Sequence, residues 1–301
     1  MKRVWQFLFD LLVLTKYRIT AVAMFTGYAA IAIEGTHATD WKFVWPCLVS
    51  LFLTGGAANT LNQIFELKKD ALMNRTKARR PLPAGRITVA QAYVFAVTQM
   101  VVAQALLLWA SGSWLAVGLS LFTIIYYSFF YTLYLKPRHY LNIVVGGVPG
   151  AMGPLIGWAA VTGTVDALPL VLFAIIFLWT PPHVWALAIK LREDYARAGI
   201  PMLPVVKGVD ETTRQIFWYT LVMVIGTLVL PMVTSLWPIW QRAPVYTALA
   251  VVLGAVFLGW SWLLWQRRPV MATMPLFRFS IVYISALFLG LIVDSFRAGQ
   301  P

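Results

Sequence analysis

Apolar residues run along this chain in long unbroken stretches, and the polar positions collect at the ends of those stretches. Nine such stretches can be marked, over approximately 19–33, 43–64, 89–110, 114–134, 141–162, 167–189, 215–236, 244–265 and 276–296. Each approaches the roughly 20 residues that cross a hydrocarbon core as an α-helix. Continuous rather than alternating hydrophobicity argues against an outer-membrane barrel, and no fixed-period repeat marks a solenoid. The pattern predicts an all-α integral membrane fold, a bundle of about nine transmembrane helices. Trp41, Trp45, Trp114, Tyr134, Tyr140, Trp237, Trp240 and Trp265 sit at stretch ends, as interfacial aromatic belts do.

The fifth stretch differs from the others, because it carries Gly146, Gly147, Pro149, Gly150, Gly153, Pro154 and Gly157. It leaves eight or ten spans as alternatives to nine. Its small residues either let helices pack closely or mark kinks that widen a cavity for a bulky ligand. The N-terminal run Val4–Thr15 superficially suggests a signal peptide, but Asp10 interrupts it and Lys16 and Arg18 follow where a cleavage site should be. Residues 1–18 therefore read as a retained interfacial helix. The polar loops are too short for a soluble domain, so residues 1–301 form one polytopic membrane domain in contact with lipid.

Composition agrees with that class: 60% of residues are hydrophobic and only 12% are charged. A net charge of +13 would suggest nucleic acid in a soluble protein. Here the positive charge lies in short loops and sets topology, so no nucleic-acid partner is expected. Of the 24 lysines and arginines, all but Lys42, Arg242 and Arg297 fall in the N-terminal segment and in 65–88, 135–140, 190–214 and 266–278. The positive-inside rule makes that set cytoplasmic, which puts the N-terminus inside and the C-terminus outside the cell inner membrane. Cys47 has no partner for a disulfide and is expected to pack as a small hydrophobe.

Against so few charges, the passage from Asn62 to Pro81 stands out, since it concentrates two acids and a run of cations at the end of an apolar stretch. Asn62, Glu66 and Asp70 are spaced i, i+4, i+8, one face of a helix covering roughly 12 Å. Two carboxylates and an amide on one stripe can hold Mg²⁺, with phosphate oxygens as co-ligands. Arg75, Arg79 and Arg80 follow at once and can contact a diphosphate. Two more polar segments share the side: Lys136-Pro-Arg138-His139-Tyr140, and Pro181-Pro182-His183-Val-Trp185 running to Lys190, Asp194 and Gly199-Ile-Pro-Met-Leu-Pro204.

The bland readings compete with these. Glu66 and Asp70 can merely balance Lys68, Lys69 and Arg75, and the arginines can be purely topogenic. His139 can be a solvated surface residue. His183 can take part in binding a ligand, or only satisfy a carbonyl freed by the prolines. Tyr126, Tyr127, Tyr131, Trp179 and Trp185 are aromatic candidates to stabilise a carbocation, and Asp294 reads as structural.

The pattern Asn62-x-x-x-Glu66-x-x-x-Asp70 leading to Arg75-Thr-x-x-Arg79-Arg80-Pro-Leu-Pro-x-Gly-Arg86-Ile resembles the first signature of the UbiA superfamily of intramembrane prenyltransferases. Together with Tyr131–Lys136, Asn142–Gly147 and His183–Pro204, it is similar to that superfamily's haem O synthase branch over most of the chain. The resemblance implies helices around a central cavity and transfer of a farnesyl group from farnesyl diphosphate to the vinyl group of haem B. It places Asn62, Glu66, Asp70 and Asp194 in the metal and catalytic roles. Arg75, Arg79, Arg80, Lys136, Arg138 and Lys190 fall to the diphosphate, and His183, His139 and Trp185 to the acceptor. It also brings in haem A synthase or terminal-oxidase assembly as partners. Lys190 stands where the superfamily often has an aspartate, so one Mg²⁺ is the minimum. The rivals are a sibling that prenylates an aromatic or quinone precursor, and a non-catalytic haem or isoprenoid transporter.

Overall fold

The computed structural model describes residues 2–233, 243–267 and 272–297. Trp237, Trp240, Arg242, Arg268 and the predicted end of the seventh span lie outside them. Among the described residues seven helical segments are long and apolar enough to cross a membrane: Trp41–Phe65, Val89–Ser111, Trp114–Leu135, Asn142–Thr162, Ala167–Lys190, Pro244–Arg267 and Thr273–Arg297. The other two predicted spans are also helical, over Tyr17–Glu34 and Gly208–Val233. The first carries Arg18 and Glu34, which lower its mean hydropathy, and the second opens on Asp210, Glu211 and Arg214.

In chain order, α1 (Lys2–Leu14) precedes α2 (Tyr17–Glu34), α3 (Trp41–Phe65) and the short α4 (Leu67–Leu72). α1 turns Trp5, Leu8, Phe9 and Leu12 outward, an apolar stripe suited to lying in the membrane interface. It ends where Lys16 adopts left-handed backbone, φ 50 and ψ 47. The freed carbonyls are satisfied from α3. Gln63 Nε2 donates to Leu14 O at 2.9 Å, and Asn59 Nδ2 to Thr15 O at 3.2 Å. In lipid surroundings such groups need partners inside the protein.

A capping box between Thr88 and Gln91 opens α5 (Val89–Ser111), and Gly112, with φ 64, closes it. The next span starts as α6 (Trp114–Ile125) and changes to a π-helix over Tyr126–Leu135. The Gly- and Pro-rich span is broken into α7 (Asn142–Val145), α8 (Val148–Ala151) and α9 (Gly153–Thr162). Then come α10 (Ala167–Lys190), α11 (Arg192–Arg197), α12 (Leu203–Val206), α13 (Gly208–Val233), α14 (Pro244–Arg267) and α15 (Thr273–Arg297). Asp294 accepts from Val245 N at 3.3 Å and Tyr246 N at 2.8 Å, so it caps α14, in keeping with its structural reading.

α10 is well covered along its middle. From Val171 to Ile189 no residue is fully exposed, whereas α5 leaves Val94, Val101 and Trp109 exposed at 68%, 58% and 74%. Yet Phe173, Phe177, Thr180, Val184 and Leu187 on α10 are only half-buried. Their spacing of three or four places them on one face.

The close-packing reading of the glycine-rich span holds at several positions. A Cβ on Gly157 would collide with the carbonyl oxygen of Gly27, and one on Gly146 with the ring of Tyr131. These glycines let backbones and a ring approach closely. A Cβ on Gly150 would meet nothing within 4 Å. Gly157→Ala should therefore destabilise the protein by about 1–3 kcal/mol, because backbone cannot move aside as a side chain can. Gly150→Ala should leave stability unchanged or raised, and denaturation in detergent separates the two.

Candidate active site

The polar end of the bundle is assembled from the last turns of α3. Asn62 and Glu66 come from α3 and its C-cap, where the backbone leaves the helix at φ −93 and ψ 4. Asp70 comes from α4, and its amide still donates to Glu66 O at 2.8 Å, so the i, i+4 relation survives the break. All three side chains are buried, at 0%, 4% and 2% exposure. Each meets a cation drawn from a different segment. Lys16 Nζ lies 2.8 Å from Asn62 Oδ1, Lys136 Nζ lies 2.5 Å from Glu66 Oε1, and Arg80 pairs with Asp70. Asn62 Nδ2 donates to Thr132 Oγ1 at 3.0 Å, which ties the stripe to the π-helix.

The charges shape one another. Burial pushes the Glu66 carboxyl up, but Lys136 and the other nearby cations outweigh it and hold the group below its ordinary value. Burial dominates at Asp70, whose pKa is raised despite Arg80. Burial, with Arg80 nearby, depresses Lys16 well below the usual lysine value. Two stacked rings, Tyr127 and Tyr131, form the adjoining wall, with centroids 5.2 Å apart. Lys16 lies over Tyr127 and Lys136 over Tyr131, at 5.7 and 5.8 Å from the ring centres. Three cations on two carboxylates beside an aromatic wall make a site for a polyanion with an apolar tail.

Among the described residues no group of three or more histidines, cysteines and carboxylates is gathered as a metal centre. The donor chemistry of Asn62, Glu66 and Asp70 nevertheless fits a small hard cation, since it consists of carboxylate and amide oxygens. Both carboxylates now hold cationic side chains instead.

Residues 23–286 match the model of the UbiA prenyltransferase family. The chain belongs to that family. It is 41% identical to a protoheme IX farnesyltransferase of Trichormus variabilis over 94% of this chain and 87% of that one. The figure is again 41% for the enzyme of that name from Bradyrhizobium diazoefficiens, covering 97% and 92%. Protoheme IX farnesyltransferase 1 of Pseudomonas putida is 39% identical, covering 95% and 94%. Two solved structures share the fold. One, from work on digeranylgeranylglyceryl phosphate synthase, superposes with a TM-score of 0.77 at 18% identity, covering 99% and 100%. A UbiA homolog from Archaeoglobus fulgidus bound to GPP and Mg²⁺ gives 0.64 at 16%, covering 94% and 99%.

The predicted site residues of this UbiA prenyltransferase divide into groups. Asn62, Glu66, Asp70, Arg80 and Lys136 meet in one cluster. Asp194 stands apart from it, accepting from Asn74 N at 3.3 Å, Arg75 N at 3.1 Å and Arg197 Nη2 at 2.5 Å. It braces the loop that carries Arg75, whose guanidinium lies over Tyr195, 5.8 Å from the ring centre. Arg79 and Lys190 are exposed. Arg138 is exposed and donates to Leu133 O and Tyr134 O, closing the π-helix. His139 accepts from Leu141 N at 3.1 Å in a local turn. Trp185 is fully buried and meets Tyr219 edge-on, in the core between α10 and α13. His183 lies higher on α10, against α15.

Lys16 and Thr132 join the site although the sequence gives them no role in it, and Tyr127 is one of the five aromatic candidates that the sequence offers. Arg86 proves to be a strut, gripping buried Asp10 at 3.0 Å and two loop carbonyls.

Burial alone would raise the Asp194 carboxyl, but the Arg75 and Asn74 amides and Arg197 hold it below its ordinary value. A depressed acid contributes stability above its unfolded pKa and loses it as pH falls through the folded one. Amide exchange protection at Asn74 and Arg75, corrected for intrinsic rates, should persist from neutral pH down to about 4. It should fall below that range, and Asp194→Ala should abolish it at every pH.

Proposed function

We propose that this protein transfers the farnesyl group of farnesyl diphosphate to the vinyl group of protohaem IX, giving haem O and releasing diphosphate. The observation that carries the reading is near-full-length identity of about two residues in five to protoheme IX farnesyltransferases, 41% over 97% of the chain in one case. The cationic cluster and the apolar interior supply the chemistry.

The allylic C–O bond breaks with its electron pair leaving on the diphosphate. Lys16, Arg80 and Lys136 stabilise that developing negative charge in a water-poor site, where fixed cations act most strongly. Mg²⁺, when bound, supplies Lewis-acid neutralisation of the same oxygens, and Asn62, Glu66 and Asp70 are the residues that would hold it. Arg75 contacts the diphosphate from the loop that Asp194 braces. Arg79, Arg138 and Lys190 serve as outer cations that draw the anion to the mouth. The faces of Tyr127 and Tyr131 stabilise the allylic cation, and the enclosing helices exclude water that would quench it. The vinyl π-pair forms the new C–C bond, and water captures the resulting benzylic-type cation with loss of a proton. His183 serves the haem, and Trp185, buried against Tyr219, packs the helix that carries it.

The clustered basic loops support a cytoplasmic polar end in the inner membrane. Haem O made there would pass to a haem A synthase or to terminal-oxidase assembly, partners that the family relationship supports.

Purified protein given farnesyl diphosphate, haem B and Mg²⁺ should yield hydroxyethylfarnesyl haem. Asp70→Asn should cut turnover at least about a hundredfold, as loss of several kcal/mol of leaving-group stabilisation requires, while circular dichroism stays unchanged. Turnover with 4-hydroxybenzoate and none with haem would replace this reading by that of a sibling enzyme.

A further inference from the structure

His183 is held as few buried histidines are. Its ring is stacked between Trp179 and Phe277, with centroids 4.2 and 4.5 Å away and tilts of 19° and 25°. Two rings cannot share one face of an imidazole at those distances, so they cover opposite faces. The Nδ1 edge is taken as well, because Nδ1 lies 2.7 Å from Ser280 Oγ. Ser280 is itself fully buried, and its hydroxyl donates to Phe277 O at 2.7 Å. A hydroxyl has one proton to give. With that proton on Phe277 O, Ser280 Oγ accepts from an Nδ1–H. This arrangement favours the Nδ1–H tautomer of the neutral imidazole, with the basic lone pair on Nε2.

Among the described residues nothing bonds Nε2. The side chain is nevertheless only half-buried. With both faces and the Nδ1 edge covered, the accessible part of the ring is the Nε2 edge. It shares its face of α10 with the half-buried positions Thr180 and Leu187. Trp179 anchors the arrangement further by donating from Nε1 to Ser280 O at 2.7 Å.

We infer that His183 Nε2 is an axial ligand to the iron of the tetrapyrrole acceptor, and that Ser280 is the positioning residue that fixes its tautomer. A neutral imidazole whose Nδ1–H is bound elsewhere and whose Nε2 is free is the form that ligates iron. His183 lies seven residues before Lys190, about 10 Å down the helix axis from the polar mouth. A flat apolar acceptor anchored there is held below the end of α10 that carries Lys190. This inference rests on haem being the acceptor.

The test is a titration of the untagged, detergent-purified protein with ferric haem B, read by Soret absorbance and electron paramagnetic resonance without farnesyl diphosphate. Wild type should show an imidazole-ligated spectrum. His183→Ala should lose it, and added imidazole should restore it. Ser280→Ala should weaken haem affinity about 10–100-fold, the usual effect of removing the group that orients a ligating histidine. His37→Ala, at the opposite end of the molecule, should change nothing. An unaltered spectrum in His183→Ala, or its loss only in His139→Ala, overturns the assignment while leaving the farnesyl transfer intact. No haem signal from wild type, together with prenylation of another acceptor, overturns the functional reading itself.

Discussion

A carboxylate at the rim of a membrane protein must have a cation, and Glu66 has Lys136 at 2.5 Å. Much of the polar end depends on that requirement. The pair joins the end of α3 to the end of the π-helix, Asp70 joins α4 to Arg80 in the following loop, and Asn62 receives Lys16 from the α1–α2 junction. Buried ion pairs contribute little net stability, because desolvation offsets most of their attraction. Breaking one is costly, whereas exchanging partners is not. A cluster of matched buried charges can therefore open for an incoming anion and metal without leaving a carboxylate or an ammonium alone.

The π-helix is the backbone device that makes the cluster possible. Its bonds run from residue i to i+5, as in Lys136 N to Tyr131 O at 2.8 Å. Thr132 follows the same step with its side chain, donating to Tyr127 O at 2.7 Å. That wider winding puts residues four and five apart on one face, so Tyr127, Tyr131, Thr132 and Lys136 all face the α3 stripe. An α-helical period would have rotated Lys136 away from Glu66. Gly146 completes the device, since only a residue without Cβ lets the Tyr131 ring lie where it does.

The spans, the sidedness of charge and the acidic stripe were legible because each follows from a local rule: apolar length, loop composition and helical spacing. The broken fifth span was legible too, as its glycines and prolines announce it. What escaped sequence reasoning is long-range. Lys16 lies 46 residues from Asn62 and reaches it because Asn59 and Gln63 seat the end of α1. Spacing does not encode that contact. Nor does spacing tell Arg80, which binds Asp70, from Arg79, which faces solvent, or from Arg86, which holds Asp10. The π-winding was equally invisible, since Tyr126–Leu135 reads as an ordinary apolar helix.

Ionic and apolar functions occupy different ends of one interior. α10 has no fully exposed residue along its middle, where Phe173, Phe177, Val184 and Leu187 are half-buried. The pairs Glu66–Lys136 and Asp70–Arg80 lie at the polar end formed by α3, α4 and the π-helix. Reaction between an allylic cation and an apolar acceptor needs this separation. In the proposed reaction, charge at the mouth would stabilise the departing diphosphate, while an uncharged interior would give the cation no nucleophile except the acceptor. A site with cations spread along the cavity would instead repel the intermediate it must protect.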